Sequence, residues 1–235
     1  MKVIGLIGGM SWESTVEYYR IVNQYVARRL GGLHSACCVM YSFDFQEIEE
    51  LQHRADWDGA ARRMIDAARS VERAGADFIV ICTNTMHKLA EAVQDAVPLP
   101  LLHIADPTAA SVLGAGVRKV GLLATRFTME ENFYRQRLVT RHGLEVIIPT
   151  ATDRQVVHDV IYQELCRGEI KPDSRQRFQT IIQQMADAGC AGVILGCTEI
   201  GLLIKPPDSP LPLFDTTEIH AEAAAEFALS DEPGN

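Results

Sequence analysis

One segment occurs twice in this chain, and any fold must accommodate both copies. The first copy reads DFIVICTNTMHKL from Asp77 and continues as PLPLLHIADPTAA from Pro98. The second reads AGVILGCTEIGLL from Ala191 and continues as PLPLFDTTEIHAE from Pro210. In each, an apolar run ends in Cys-Thr with an amide or acid next, and a helix-like stretch follows. Pro-Leu-Pro-Leu then opens a second apolar run that closes near Asp-Thr or Asp-Pro-Thr. The starts repeat as well, since KVIGLIGG from Lys2 resembles KVGLLATR from Lys119. A duplicated strand end lets two halves present reactive groups to one cleft from opposite sides. That geometry suits chemistry on both faces of a single carbon.

Short apolar runs at 3–8, 36–42, 78–82, 99–104, 120–124, 146–148, 193–195 and 211–214 are near-continuous in Val, Ile and Leu, as in parallel strands buried on both faces. Helix-like stretches at 14–30, 57–74, 85–97, 108–113, 129–142, 152–167, 172–188 and 217–229 lie between them. Ser11 and Asp215 are placed to cap helices, and Gly75, Gly143 and Gly189 to stop them. The alternation predicts an α/β protein of two Rossmann-like parallel-sheet halves. The repeat sets the halves at 1–115 and 116–235, with the last helix able to pack back onto the first half. The polar end, 230–235, has no periodicity and is expected to fray.

The 235 residues suffice for two such halves, and a formal charge of -9 argues against nucleic acid or an anionic membrane as partner. No apolar stretch approaches the ~20 residues of a membrane span. Trp12, Glu13 and Glu17 follow the opening apolar run at once, which makes it a buried strand rather than a signal peptide. The 6 cysteines contain no C-x-x-C and suggest neither a zinc site nor a disulfide framework. Reduced thiols and a cytoplasmic location are the expectation.

Three strand ends hold candidate chemistry. Gly8-Gly9-Met10-Ser11 opens a helix, where it is either a tight turn or a turn whose amides receive a carboxylate; it lacks the dinucleotide fingerprint. Gly196-Cys197-Thr198-Glu199 puts a thiol at the carboxyl edge of a parallel sheet, where α/β proteins bind ligands. A helix beginning there would lower its pKa from ~8.5 toward neutrality. Cys82-Thr83-Asn84-Thr85-Met86-His87 is polar where a core strand should simply end. Asn84 and Thr85 suit a helix entry, and His87 taken alone reads as a cap or surface residue. Thr125-Arg126 offers a further anion contact, whereas Glu47–Glu50 and Glu130-Glu131 read as solvated faces.

These motifs resemble the aspartate/glutamate racemase superfamily of cofactor-independent amino-acid racemases, along essentially the whole chain. IGLIGGMSWEST resembles the family's IGxxGGMG start, NTMH its Asn-Thr-x-His motif, and GCTE its second cysteine motif. The opening is most similar to that of the enterobacterial L-aspartate/glutamate-specific racemases. The resemblance implies two halves related by a pseudo-two-fold with the active site between them, an amino-acid substrate, no pyridoxal phosphate, no metal and often a homodimer. It implies a cysteine on each face of the substrate Cα. Cys197 matches the second of these, with Thr198 and Glu199 beside the substrate. The first motif departs: the family reads Cys-Asn-Thr, and here Thr83 precedes Asn84 while Cys82 lies one residue earlier.

A one-residue slip turns a strand side chain to the opposite face. The Asn-Thr anchor favours Thr83 as the group at the cleft; the internal Cys-Thr repeat favours Cys82, and the longer anchor is preferred. A threonine hydroxyl cannot act as an ordinary carbanion-generating base near neutral pH. The expectation is therefore racemization running mainly from L to D, with Cys197 serving the L-enantiomer as the family's second cysteine does. The resemblance also implies substrate contacts at Met10, Asn84, Thr85 and Thr125. Where some aspartate racemases carry two cations, this chain has Leu51 and Cys166, with Gln52 and Arg167 adjacent and Gln52 the preferred contact. Single-cysteine decarboxylases, diacid isomerases and a non-catalytic amino-acid-binding protein are the alternatives.

Overall fold

The computed structural model describes residues 1–230, so the expectation for the tail beyond Ser230 lies outside the described residues. Two compact units are present, one of Met1–His103 together with the C-terminal segment from His220, the other of Ile104–Ile219.

The first unit is built on three parallel strands in the order β2-β1-β3: β1 Ile4–Gly8, β2 Cys38–Ser42 and β3 Phe78–Ile81. Its helices are α1 (Trp12–Leu30), α2 (Phe45–His53), α3 (Trp57–Arg73) and α4 (Ala90–Ala96), with a 3-10 turn at Thr85–Leu89 before α4. Both sheet faces are covered, which is why the strands are apolar throughout instead of alternating. Ile4, Leu6, Phe78 and Val80 enter a cluster with Tyr18, Val22 and Val26 of α1. Ile7, Ile79 and Ile81 point the other way, into a cluster with Ala60, Met64, Ala67 and Val71 of α3. Each fully buried Ile or Leu of this kind stabilises by about 1.5–3 kcal/mol relative to exposure. Gly75, Gly143 and Gly189 all adopt positive φ, the left-handed conformation that ends a helix cheaply.

The run 99–104 is not a full strand. It makes an isolated bridge, Ile79↔Leu101, held by Ile79 N–H to the Pro100 carbonyl and Leu102 N–H to the Ile79 carbonyl, each 2.9 Å. Pro98 and Pro100 have no amide hydrogen to extend a ladder. The Gln94 side chain occupies the other edge, bonded to Leu101 N and Leu99 O.

The second unit holds four parallel strands in the order β5-β4-β6-β7: β4 Lys119–Ala124, β5 Glu145–Ile147, β6 Val193–Gly196 and β7 Leu213–Asp215. With the Leu101 bridge counted as an edge, the first sheet has the same order, so the sequence repeat is a repeat of topology. Here the helices are α5 (Ala105–Gly114), α6 (Arg126–Glu130), α7 (Asn132–His142), α8 (Ala151–Gln163), α9 (Pro172–Asp187) and α10 (Ile200–Leu203), with 3-10 turns at Leu165–Arg167 and Pro206–Asp208. One apolar cluster includes Val120, Leu122, Phe178, Ile182, Val193 and Leu195.

The division falls before α5, where the sequence reading put it at 115/116. Ala105, Ala109 and Val112 of α5 join the second unit's cluster, and Asp106 accepts from Arg137 Nε (2.7 Å) and NH2 (2.6 Å) of α7. The last helix, α11 (Thr216–Leu229), does the reverse. Its Ala221, Ala224, Ala225 and Ala228 pack in the first unit's cluster beside Ile4 and Leu6. Each unit is thus completed by the helix that follows the other's last edge strand. Among the described residues no helix is long and apolar enough to cross a membrane.

Candidate active site

In the second unit, β4 and β6 run side by side with Ala124 paired to Gly196. Thr125 and Cys197, the next residues of each, therefore emerge together at the carboxyl edge. Thr125 caps α6, its hydroxyl accepting from Thr128 N at 3.4 Å. Arg126 is exposed, its amide donating to His158 Nδ1 (3.3 Å) and its guanidinium to Gln155 (3.5 Å), so the expected anion contact there is directed at protein groups.

Cys197 is 7 % exposed, Thr198 4 % and Glu199 2 %. The Cys197 thiol donates to Glu199 Oε2 at 3.0 Å, and the Thr198 hydroxyl donates to the same oxygen at 2.9 Å. The strand end is pinned from below: Thr216 Oγ1 donates to the Leu195 carbonyl (2.7 Å) and Thr217 Oγ1 to that of Thr198 (3.3 Å). Asp215 receives Thr217 N–H at 2.9 Å. A Cβ at Gly201 would lie 2.0 Å from Asp215 Oδ2, so any larger residue there would have to displace the Asp215 side chain.

The expected low pKa at Cys197 is overturned. Burial first, then the charge of Glu199 and the neighbouring Cys166, push the thiol well above its ordinary value. The helix that was to lower it, α10, has 4 residues and starts three positions later at Ile200. A helix terminus is worth about 0.3–1 kcal/mol, against roughly 4 kcal/mol for a carboxylate at ~4 Å in a medium of effective dielectric ~20. The carboxylate wins, and the resting group is a thiol pointed at Glu199.

In the first unit, Ile7 pairs with Ile81, and Cys82 N–H donates to the Ile7 carbonyl at 2.9 Å. Gly9-Met10 and Thr83 then sit side by side at this sheet's carboxyl edge. The two residues of the Cys-Thr pair separate as strand alternation requires. Cys82 is fully buried in the α1 cluster, its thiol 3.8 Å from the Val80 carbonyl, and burial pushes its pKa strongly up. Thr83 is 8 % exposed, Asn84 2 %, Thr85 4 % and Met10 4 %.

The glycine turn is shaped by packing. Gly9 has φ +82, and a Cβ there would lie 2.4 Å from Phe43 N and O. The Gly9 amide donates to Thr15 Oγ1 at 2.9 Å, so this amide is not presented to a carboxylate as the second reading of the turn required.

Sequence reasoning missed α2 as a helix, although it nominated Gln52 within it. Asp44 caps it by accepting from Gln46 N, and Gln52 is buried with its amide 3.1 Å from Met86 Sδ. His87, expected as a cap or surface group, is 2 % exposed. Arg167 is exposed, while Cys166 packs against the second unit's cluster that contains Cys197. Among the described residues no group of three His, Cys, Asp or Glu is placed to hold a metal ion.

The family described as Asp/Glu/Hydantoin racemase matches residues 7–224. A crystal structure from Yersinia pestis, assigned to the Asp/Glu racemases, is 55 % identical with a TM-score of 0.90, covering 97 % of this chain and 100 % of that one. An aspartate racemase homologue from Pyrococcus horikoshii OT3 is 36 % identical with a TM-score of 0.82, covering 97 % and 99 %. The broad specificity amino-acid racemase RacX of Bacillus subtilis (strain 168) is 25 % identical over 97 % of this chain and 99 % of its own length. The chain belongs to the Asp/Glu/Hydantoin racemase family, and racemization of amino acids is its chemistry.

Proposed function

We propose that this racemase acts on aspartate or glutamate without pyridoxal phosphate, with Cys197 exchanging the Cα proton of the L-enantiomer and Thr83 serving the opposite face. The observation that supports this most is the Cys197–Glu199 contact of 3.0 Å. A buried thiol is a poor base, but one aimed at a carboxylate has an acceptor for its proton. Glu199 takes the thiol proton, the thiolate removes Cα–H, and the Thr83 hydroxyl, or a water it holds, returns a proton from the other side. Solvent then returns a proton to Thr83 and takes up the one left on Glu199, so the site regains its starting state. A strongly basic carbanion accepts a proton from a weak acid readily; the reverse abstraction by a threonine alkoxide is unfavourable. The enantiomers have equal free energy, so kcat/KM is the same in both directions. The preference for L to D lies in kcat at saturation and in exchange without inversion.

Met10, Asn84, Thr85, Thr125 and Thr198 are proposed as substrate contacts, with Gln52 toward the side chain. A wider substrate range is favoured by one feature: where some aspartate racemases carry a cation this chain has Cys166, half-buried against the cluster that contains Cys197, and the adjacent Arg167 is exposed. The broad specificity of the Bacillus relative agrees with it. A cytoplasmic homodimer is the setting we propose. Incubation of L- and D-aspartate, glutamate and neutral amino acids in heavy water, followed by chiral chromatography and mass analysis, tests the whole reading. Deuterium should enter the L-substrate faster than the D-substrate. Equal rates would remove the asymmetry, and loss of carbon dioxide would identify a decarboxylase.

A further inference from the structure

Three histidines and a tyrosine meet inside the first unit. His87 is 2 % exposed, His103 8 %, and His220 and Tyr18 are fully buried. His220, on α11, has Nε2 2.9 Å from the Leu102 carbonyl and Nδ1 2.9 Å from the Tyr18 hydroxyl. A carbonyl can only accept, so Nε2 carries the hydrogen, and in the neutral ring Nδ1 accepts from the tyrosine. The His87 ring packs on His103, centroids 4.6 Å apart, and stands edge-on to His220 at 5.8 Å. Its Nδ1 is 2.7 Å from the carbonyl of Thr83, so this nitrogen is also the protonated one.

That last bond stands in for a main-chain bond. In an α-helix the Thr83 carbonyl would receive the amide of His87, four residues on. Here the His87 amide donates to Asn84 O at 3.1 Å, closing a 3-10 turn. The imidazole fills the vacated place, so the chain turns tightly while the Thr83 peptide stays at the strand end. The carbonyl of Thr83 is thus held by a ring that packs on His103 and stands edge-on to His220.

We propose that His87 is a positioning residue for Thr83, held in place by His103 and by the Tyr18–His220 pair. This rests on the reading of Thr83 as the group that serves the second face of Cα. A purely structural role would depress both half-reactions together, whereas positioning of Thr83 touches one.

The experiment compares His87→Leu and His87→Asn with the parent protein, using circular dichroism to confirm folding. Asparagine can place an amide donor near the position of Nδ1; leucine cannot. In heavy water, H87L should still exchange Cα–H of the L-substrate within about threefold of the parent, while conversion of L to D falls about 10- to 100-fold, the scale of a misplaced catalytic group. H87N should recover most of the conversion. Tyr18→Phe, a milder change that removes the hydroxyl on His220, should show the same split on a smaller scale and serves if H87L does not fold. Exchange and conversion falling by one factor, or H87N no better than H87L, would overturn the proposal. A parent protein that exchanges no Cα–H on any amino acid would instead bring down the functional reading on which it stands.

Discussion

At the end of β3, Cys82 is sealed among Tyr18, Val22 and Ala224, and the threonine after it lies at the sheet edge. At the end of β6 the same dipeptide is used the other way, with Cys197 aimed at Glu199 and the Thr198 hydroxyl bonded to the same carboxyl oxygen. Both thiols are raised in pKa by burial, yet the second has an acceptor 3.0 Å away and the first has a carbonyl at 3.8 Å. Burial alone makes a cysteine inert; burial beside a carboxylate gives its proton somewhere to go. The carbonyl anchors differ as well, an imidazole holding Thr83 and a hydroxyl holding Thr198.

The sharpest way to break this contrast is to remove each edge group in turn. Cys197→Ala should abolish both exchange and conversion, by about 10³-fold or more, with folding intact. Thr83→Ala should lower conversion about 100-fold while leaving deuterium exchange into the L-substrate. If T83A lost both, the two ends would not have separate tasks. Next in size, Glu199→Gln should cost about 10- to 100-fold in kcat. It should also move alkylation of Cys197 by iodoacetamide to lower pH, because the charge that raises the thiol is gone; an unmoved profile would detach Glu199 from Cys197.

The smallest effect is at Cys82, where Cys82→Ala should leave racemization within about twofold, the ordinary consequence of a change outside the reacting groups. Its folded pKa lies above the unfolded value of ~8.5, so the stability it confers is complete below that pH and is lost as pH rises through the folded value. C82A should therefore flatten the alkaline fall in stability by as much as ~1.4 kcal/mol per pH unit above pH ~8.5, measured by urea unfolding.

The parallel strands were legible because burial on both faces writes a continuous apolar run, as in Phe78–Ile81 and Val193–Gly196. That Cys82 and Thr83 point apart was legible from alternation; which of them enters the core was not, and Cys82 lies in the α1 cluster. The run 99–104 misled because its composition is apolar while its prolines withhold donors. Helix α2 was hidden because its inward face is short, Ile48 and Gln52, amid four acidic or amide neighbours that read as a solvated stretch. The pKa of Cys197 could not be read at all. It depends on how the turn swings Glu199 back onto the thiol, a property of three-dimensional closure and not of residue type.

The exchange of α5 and α11 carries a consequence for the molecule as a whole. A chain severed at 115/116 would leave each fragment with its sheet exposed where the exchanged helix belongs: Ile4 and Leu6 without the alanines of α11, and the second cluster without Ala105 and Val112. Neither fragment buries what it needs by itself, so neither is expected to fold alone. Duplication here has yielded two stretches of sequence that each supply the other's closing helix, so the boundary of the repeat is not a place where the chain can be divided.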